Sequence, residues 1–180
     1  MKINRDGIFL FDKVKQSFDE NLANAIHQTF GPRKAVDLGC GLGRYCAYLT
    51  SLGWEMTGIE GANVKKMSVF QPIYRANLNK PVAILPTNFV ICLEVAEHVP
   101  SEKDFLSNLF HASRDWLILS WAVRGQGGVG HVNCKDNHEV IELLQSKFKH
   151  KPEISEILRK QASLRWFKNS LMVFRRKNGR

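Results

Sequence analysis

The chain has 180 residues, of which 44% are hydrophobic, and it carries a formal net charge of +9. This length fits one domain with its own core, and no apolar run approaches the roughly 18 residues that a membrane-spanning helix needs. The opening residues, MKINRD, lack the apolar stretch of a signal peptide, and the four cysteines form no CxxC pair. We therefore expect a single cytoplasmic domain over residues 1–180, with reduced cysteines and no membrane association.

The positive charge is concentrated near the C-terminal end of the chain. Residues 147–180 contain eleven Lys and Arg against two acidic residues, whereas the first 146 residues are balanced. A basic face of this kind can bind nucleic acid or an acidic substrate, or it can simply be a solvated surface. The sequence leaves both interpretations open.

Helices and strands alternate along the chain. Hydrophobic residues that step by three or four predict an amphipathic helix over 11–29, which Gly31-Pro32 ends. Further helices are predicted at 45–52, 102–112 and 137–148, and strands at 35–38, 56–59, 74–78, 88–93, 116–121 and 171–174. Several of these strands are apolar on both faces, which favours a parallel sheet covered by helices on both sides.

A glycine-rich turn follows the first buried strand, in the run VDLGCGLGR (36–44). Gly39 lets the chain turn sharply, and Gly41 lets the backbone approach a ligand closely. The helix that follows presents unpaired N–H groups and the positive end of its dipole. Glu60 ends the next strand, where an acid can accept hydrogen bonds from both hydroxyls of a ribose. Together these features predict a site for a ribose-bearing cofactor.

Two other nucleotide sites fit this turn poorly. A nicotinamide site reads G-x-G-x-x-G, and that spacing places Arg44 where the third glycine belongs. A phosphate-binding P-loop needs Gly-Lys-Ser/Thr, which is absent from the sequence. A nicotinamide oxidoreductase is therefore disfavoured.

At these positions the chain resembles the class I S-adenosylmethionine-dependent methyltransferases. VDLGCGLGRY is similar to the first motif of that family, GIEGANV (58–64) to the second, and CLEVAEHVP (92–100) to the fourth-strand motif. The resemblance covers roughly residues 34–123, and the last strand (169–176) also fits. It implies an α/β fold with a doubly wound, mostly parallel sheet and an antiparallel last strand. It also implies S-adenosylmethionine as the cofactor and S-adenosylhomocysteine as its product. We expect a sixth strand to be brief or missing.

The resemblance assigns cofactor-binding roles by position. Asp37 orients the amino group of the cofactor, Gly39 and Gly41 lie under its methionine part, and Glu60 holds the ribose. Asn77 offers a side-chain oxygen that can accept a hydrogen bond from the adenine amine. The expected cofactor-binding residues are Asp37, Gly39, Cys40, Gly41, Glu60, Gly61, Asn77, Leu78, Leu93 and Glu94.

The acceptor side is expected to involve the glycine-rich loop over residues 122–135 and an N-terminal helical cap over residues 1–30. This loop has four glycines in six residues and follows the fifth strand, at the edge where α/β sheets place ligands. We expect Trp121, Gln126 and His131 to bind the acceptor. His131 and His98, which faces the reaction centre in some relatives, are the candidate general bases, because an imidazole titrates near neutral pH.

A metal site is not expected. His131, Cys134 and His138 have the spacing His-x₂-Cys-x₃-His, which matches no common zinc pattern.

The preferred function is methyl transfer from S-adenosylmethionine to a nucleophilic acceptor, most simply a small molecule. Two alternatives stay open: an RNA methyltransferase that uses the basic C-terminal face, and a non-catalytic S-adenosylmethionine-binding partner protein. The fourth strand is not followed by the Asn-Pro-Pro-Tyr-like run that amino-methylating nucleic-acid enzymes often show.

Overall fold

The computed structural model describes residues 2–10 and 17–177 of the chain. Within these ranges the strands are β1 (Lys2–Ile3), β2 (Phe9–Leu10), β3 (Lys34–Leu38), β4 (Glu55–Glu60), β5 (Ile73–Arg75), β6 (Thr87–Cys92), β7 (Ser113–Ser120), β8 (Phe148–His150) and β9 (Leu171–Arg176). The helices are α1 (Glu20–Phe30), α2 (Arg44–Ser51), α3 (Glu102–Ala112), α4 (Asn137–Leu144), α5 (Pro152–Gln161) and α6 (Arg165–Ser170), and a 3₁₀ turn covers Ala96–His98.

Seven strands form one sheet, in the order β5-β4-β3-β6-β7-β9-β8. The neighbours from β5 to β7 are parallel, and β9 runs antiparallel to both β7 and β8. The predicted doubly wound, mostly parallel sheet with an antiparallel last strand is therefore confirmed. The chain starts the sheet at β3 and winds outward to both sides, so β3 and β6 flank the switch point at which ligands bind in such folds.

Both faces of the sheet are buried against helices. In β6, Phe89 and Ile91 pack into one hydrophobic cluster with residues of α1, α2 and α5. Val90 and Cys92, which alternate with them, pack into a second cluster with residues of α3 and α4. This arrangement explains why the strand is apolar at every position, because strand side chains point alternately to opposite faces.

The N-terminal region differs from the predicted helical cap. Residues 2–10 form a two-stranded hairpin, in which the Asn4 side chain accepts hydrogen bonds from the amides of Asp6 and Ile8. Asparagine favours such a turn over a helix because its side chain bonds the nearby backbone. Helix α1 begins only at Glu20. Asp19 caps this helix, because its side chain accepts a hydrogen bond from the amide of Leu22. Residues 11–16, which the predicted helix includes, lie outside the described residues.

Two further boundaries differ from prediction. Strand β5 ends at Arg75, so Asn77 and Leu78 lie in a loop rather than in a strand. Helix α4 ends at Leu144, and the residues assigned to its last turn instead lead into β8. This three-residue strand is the brief sixth strand of the main fold, and Pro152 at the start of α5 limits its length.

No helix within residues 2–10 and 17–177 combines the length and apolar character needed to cross a bilayer.

Candidate functional site

A cavity of about 280 Å³ opens at the carboxyl ends of β3, β4 and β6. All ten residues that the resemblance assigns to cofactor binding line this cavity, and so does His98. Its remaining wall includes residues 6–9 of the N-terminal hairpin, together with Trp166 and Phe167 of α6. The fold thus gathers residues from distant parts of the chain around one concave site, as small-molecule sites require.

The glycine turn after β3 forms the floor of the cavity. Gly39 has a φ of 78°, and its amide donates a 2.7 Å hydrogen bond to the carbonyl of Ile59 on β4. A Cβ at this position would lie 2.3 Å from Cγ2 of Val95. Both the backbone conformation and the close approach of Val95 therefore require glycine here.

Glu60 joins the glycine turn to the end of β4. Its Oε2 accepts a 2.8 Å hydrogen bond from the Gly41 amide, and its Oε1 accepts one of 2.8 Å from the Ala62 amide. A carboxylate has about four lone-pair sites, so it keeps the capacity to accept a hydrogen bond from a ribose hydroxyl. Burial raises the pKa of Glu60, while the Ala62 and Gly41 amides act in the opposite direction. The residue fits the role that the resemblance assigns to it.

Asp37 is a buried acid in the wall of the cavity, with 3% of its surface exposed. Burial raises its pKa, the Cys46 thiol lowers it through a hydrogen bond to Oδ2, and the negative charge of Glu60 raises it; together these effects move the pKa from 3.8 to about 7. A ligand ammonium group beside Asp37 would favour its ionised form. The amino group of S-adenosylmethionine is a group of this kind, so the buried carboxyl suits it.

The role expected for Asn77 needs correction. Its Oδ1 already accepts hydrogen bonds from the backbone amide and the side-chain amide of Asn79. Both lone pairs of the oxygen are used, so Asn77 lacks the acceptor expected for the adenine amine. Asp6 lines the same part of the cavity, and its Oδ2 accepts a 3.4 Å hydrogen bond from Asn77 Nδ2.

Glu94 lies two residues after the end of β6 and has a φ of 54°, an uncommon conformation for a residue other than glycine. Its backbone amide donates to the hydroxyl of Ser120. Its carboxylate accepts hydrogen bonds from Gln126 Nε2 at 2.6 Å and from the Ser170 hydroxyl at 3.2 Å. Strain of this kind persists where surrounding contacts hold it, and it is common at functional sites.

His98 stands at the edge of the cavity next to the glycine-rich loop. Its Nδ1 lies 3.1 Å from the Gly130 carbonyl oxygen, and its ring packs edge-on against those of Phe9 and His131. A carbonyl only accepts hydrogen bonds, so Nδ1 carries the proton and the neutral ring keeps its lone pair on Nε2. Burial lowers the pKa of His98, and the Gly130 carbonyl partly offsets this effect.

The three residues expected to bind the acceptor lie in different environments. Trp121 is fully buried, packs edge-on against Phe105 and donates from Nε1 to the Asn133 carbonyl. The expectation for Trp121 is therefore corrected: it packs in the core and does not line the cavity. Gln126 reaches the site through Glu94, and His131 lies beside His98 with its Nδ1 3.0 Å from the Gln126 carbonyl oxygen.

Several arginines of the basic C-terminal region form hydrogen bonds or ion pairs with other parts of the protein. Arg159 donates to the Leu171 carbonyl, and Arg176 donates to the Ser113 carbonyl. Arg175 pairs with Asp115 at 3.1 Å. Part of this charge therefore connects secondary structure elements of the domain.

The sequence interpretation missed the cavity residues Asp6 to Phe9. Strands of two residues carry no periodic pattern, so the sequence contains no signal for this contact. Trp166 and Phe167 also line the cavity, and nothing in their local sequence distinguishes this position from ordinary aromatic packing.

Comparisons with known proteins agree with this geometry. A family model described as a methyltransferase domain matches residues 9–124. The mitochondrial ubiquinone biosynthesis O-methyltransferase of Schizosaccharomyces pombe is 32% identical over 92 residues, which cover 44% of this chain and 34% of that protein. The chain thus spans about a third of the length of this curated relative.

Solved structures show the same fold. Magnesium protoporphyrin IX methyltransferase from Synechocystis, crystallised with S-adenosylhomocysteine, has a TM-score of 0.63 at 18% identity, covering 87% of this chain and 80% of that one. The 1,6-didemethyltoxoflavin-N1-methyltransferase of Burkholderia thailandensis has a TM-score of 0.61 at 14% identity, covering 88% and 78%.

Proposed function

Because the chain belongs to the class I S-adenosylmethionine-dependent methyltransferases, we propose that it transfers a methyl group from S-adenosylmethionine to a small-molecule acceptor. The observation that carries the proposal is the single cavity in which all ten expected cofactor-binding residues meet His98. Bound S-adenosylmethionine supplies a methyl group that its sulfonium centre already activates. The work of the protein is then mainly to align this group with the acceptor.

The cofactor half of the cavity is formed by β3, β4 and the glycine turn. Glu60 holds the ribose hydroxyls with its remaining lone pairs, while its bonds to Gly41 and Ala62 fix the carboxylate in place. Asp37 binds the amino group, which favours the ionised carboxylate. Asp6 takes the place of Asn77 as the acceptor near the adenine end, since it lines the cavity and keeps an acidic side chain there.

The acceptor half lies between His98, the N-terminal hairpin and α6. Phe9, Trp166 and Phe167 line this space, and aromatic side chains of this kind suit a flat organic molecule. The relatives act on ring compounds, as the names ubiquinone, protoporphyrin and toxoflavin indicate. Residues 6–9 also narrow the cavity, which favours a small acceptor over a polymer.

His98 is the side chain placed to receive the proton of the acceptor. The Gly130 carbonyl fixes its Nδ1 proton, so Nε2 is the atom that accepts from an acceptor hydroxyl or amine. His131 supports this arrangement from the neighbouring loop through its edge contact with the His98 ring. The loop over residues 122–135 therefore serves as the acceptor loop, joined to the cavity by Gln126 and Gly130.

A thermal-shift titration with S-adenosylmethionine, S-adenosylhomocysteine, NAD and ATP tests the cofactor. A ligand at 100 times its Kd stabilises a protein by about 2.7 kcal/mol, which raises the melting temperature visibly. We expect a shift with the two S-adenosyl compounds alone, followed by release of S-adenosylhomocysteine when hydroxylated or amino-substituted ring compounds are screened. A shift with NAD alone, or with none of the four ligands, would contradict the proposal.

The two alternatives make different predictions. An RNA methyltransferase would bind RNA at low salt and lose this binding as the salt concentration rises. A non-catalytic partner protein would bind the cofactor but turn over no acceptor class. The cytoplasmic location expected from the sequence stays a prediction.

A further inference from the structure

Three side chains with metal-ligating atoms meet beside the acceptor half of the cavity. Glu97, His98 and His131 each offer one ligand atom, and these atoms all lie within 4.8 Å of one another. His98 Nε2 is 3.9 Å from Glu97 Oε1. His98 also lines the cavity, so the cluster borders the space that the proposed acceptor occupies.

Glu97 is a fully buried acid that lies beside a second acid, Glu94. Its exposed fraction is 0%, and within residues 2–10 and 17–177 neither carboxylate oxygen has a hydrogen-bond partner. A buried carboxylate without partners is costly, and buried charges in proteins are paired or bind metals. The backbone carbonyl of Glu97 accepts hydrogen bonds from the amides of Val132 and Asn133, which hold the glycine-rich loop against this acid.

Both histidines are oriented as metal ligands usually are. His98 Nδ1 lies 3.1 Å from the Gly130 carbonyl oxygen, and His131 Nδ1 lies 3.0 Å from the Gln126 carbonyl oxygen. A metal-bound histidine almost always donates its other ring N–H to a carbonyl or carboxylate, which fixes the tautomer and the ring orientation. With Nδ1 as the donor, the lone pair of the neutral His98 ring is on Nε2, the atom that lies 3.9 Å from Glu97 Oε1.

The structure assigns to Glu97, His98 and His131 a binding site for one divalent transition-metal ion of the Zn²⁺ type, at the acceptor end of the cavity. Two imidazoles and one carboxylate suit such ions, whereas Mg²⁺ and Ca²⁺ prefer oxygen ligands throughout. Bonds of about 2.0–2.1 Å place the ligand atoms about 3.4 Å apart in a tetrahedral site, so Glu97 and His98 need to approach by only about 0.5 Å. The ligand atoms lie up to 4.8 Å apart, so the remaining approach is at most about 1.4 Å, and it falls to the loop that carries His131 and contains four glycines.

This inference rests on the proposed function and narrows its acceptor class. Three protein ligands leave a coordination position open, as in catalytic zinc sites. An acceptor with a hydroxyl or another oxygen ligand would bind the ion there, and the ion would lower the pKa of that hydroxyl. With the ion bound, His98 acts on the acceptor through the ion rather than as its direct proton acceptor.

The test uses Co²⁺ as a spectroscopic probe with the full chain, purified in the presence of a chelator and then freed of it. We expect one Co²⁺ per chain, with visible absorption bands that Zn²⁺ abolishes by displacement. Glu97→Gln and His131→Ala each weaken binding by about a hundredfold or more, since even changes around metal ligands cost about 10–100-fold. The control His138→Ala changes an exposed histidine outside the cluster and keeps the bands.

Other outcomes would overturn the site. Cys134 Sγ lies 3.6 Å from His131 Nδ1, so bands that Cys134→Ser abolishes and Glu97→Gln preserves would assign the ion to a thiolate. Failure of the wild-type chain to bind Co²⁺ and Zn²⁺ would also contradict the proposal. Circular dichroism melting shows that each variant is folded, and Glu97→Gln preserves the side-chain shape.

Calorimetry with S-adenosylhomocysteine in the presence of EDTA separates this proposal from the proposed function. Binding of the cofactor product without any metal binding would overturn the metal site alone. Absence of product binding would overturn the proposed function, whatever the Co²⁺ spectrum shows.

Discussion

Gln126 in the glycine-rich loop donates a 2.6 Å hydrogen bond from Nε2 to Oε2 of Glu94, which follows β6. These residues are 32 positions apart, and their contact ties the expected acceptor loop to the cofactor cavity. Hydrogen bonds to a charged group contribute about 1.5–3 kcal/mol, more than neutral ones. This contact therefore acts together with the bonds from the Val132 and Asn133 amides to the Glu97 carbonyl in positioning the loop.

Replacing Gln126 tests the link between loop and cavity. We expect Gln126→Ala to raise the KM for the acceptor about tenfold, because the loop loses a charge-assisted hydrogen bond worth at least about 1.4 kcal/mol. The affinity for S-adenosylhomocysteine stays within about twofold, since Glu94 keeps its bond to Ser170. Steady-state kinetics and calorimetry measure the two effects, and Gln145→Ala, at an exposed position after α4, is the control. An equal effect on both ligands would contradict the assignment of the loop to the acceptor.

Glu60 provides a test of the ribose site. Glu60→Gln removes the charge that accepts the Gly41 amide and the proposed ribose hydroxyls, so we expect the Kd for S-adenosylhomocysteine to rise about 10–100-fold. Glu55→Gln at the other end of β4 changes an exposed acid paired with Lys34 and leaves the Kd unchanged. Unchanged calorimetric binding in Glu60→Gln would remove this residue from the site.

The raised pKa of Asp37 predicts that a rise in pH lowers the stability of the ligand-free protein but raises its affinity for the cofactor. In the folded chain the pKa of Asp37 is about 7, whereas its ordinary value is 3.8, so the folded chain keeps this proton over the interval between them. The ligand-free protein therefore loses stability as the pH rises through this interval, by an amount of the order of 4 kcal/mol, and loses no more above it. Binding of an ammonium group needs the carboxylate, so affinity for the cofactor rises from about pH 6 to about pH 8.

The variant Asp37→Asn separates these effects from other titrations, including those of Cys46 and Glu60, which face Asp37. We expect the variant to lose the rise in affinity with pH and to be the more stable protein at alkaline pH, because no buried charge remains. Chemical denaturation and calorimetry at several pH values measure both quantities. A pH dependence that persists in Asp37→Asn would assign it to another group.

The variant Gly7→Ala tests whether the N-terminal hairpin contributes to ligand binding in the cavity. A Cβ at Gly7 would lie 1.7 Å from the His98 carbonyl oxygen, and its φ of +74° disfavours other residues. We expect Gly7→Ala to detach the hairpin, which hydrogen exchange would detect as lost protection of the Ile8 amide. The cofactor affinity then falls about tenfold, in line with a cost of about 1–2 kcal/mol for the left-handed conformation.

The control for this variant is Gly127→Ala. An added Cβ at Gly127 meets no atom within 4 Å, so the change leaves the hairpin and the affinity as they are. If Gly7→Ala behaved like Gly127→Ala, the hairpin would have no role in binding.

Local patterns in the sequence were sufficient to predict most of the fold. The run VDLGCGLGR, the acid Glu60 and the apolar strands each depend on contacts within a few dozen residues, and the structure places them as predicted. The N-terminal hairpin could not be predicted, because strands of two residues have no period and are held by contacts with distant residues such as Asn77 and Asn79.

The residues of the candidate site also fall into two groups, those set by local sequence and those set by contacts between distant parts of the chain. Sequence motifs were sufficient to predict the sheet and to propose the residues of the cofactor half of the cavity, since these motifs lie in turns and strand ends whose geometry is local. The surroundings of Glu97 and Trp121 depend instead on long-range packing. Whether a polar side chain stands buried and unpartnered, or an aromatic one packs in the core, depends on which distant elements pack around it. That packing brings His131, 34 residues from Glu97, beside the buried acid.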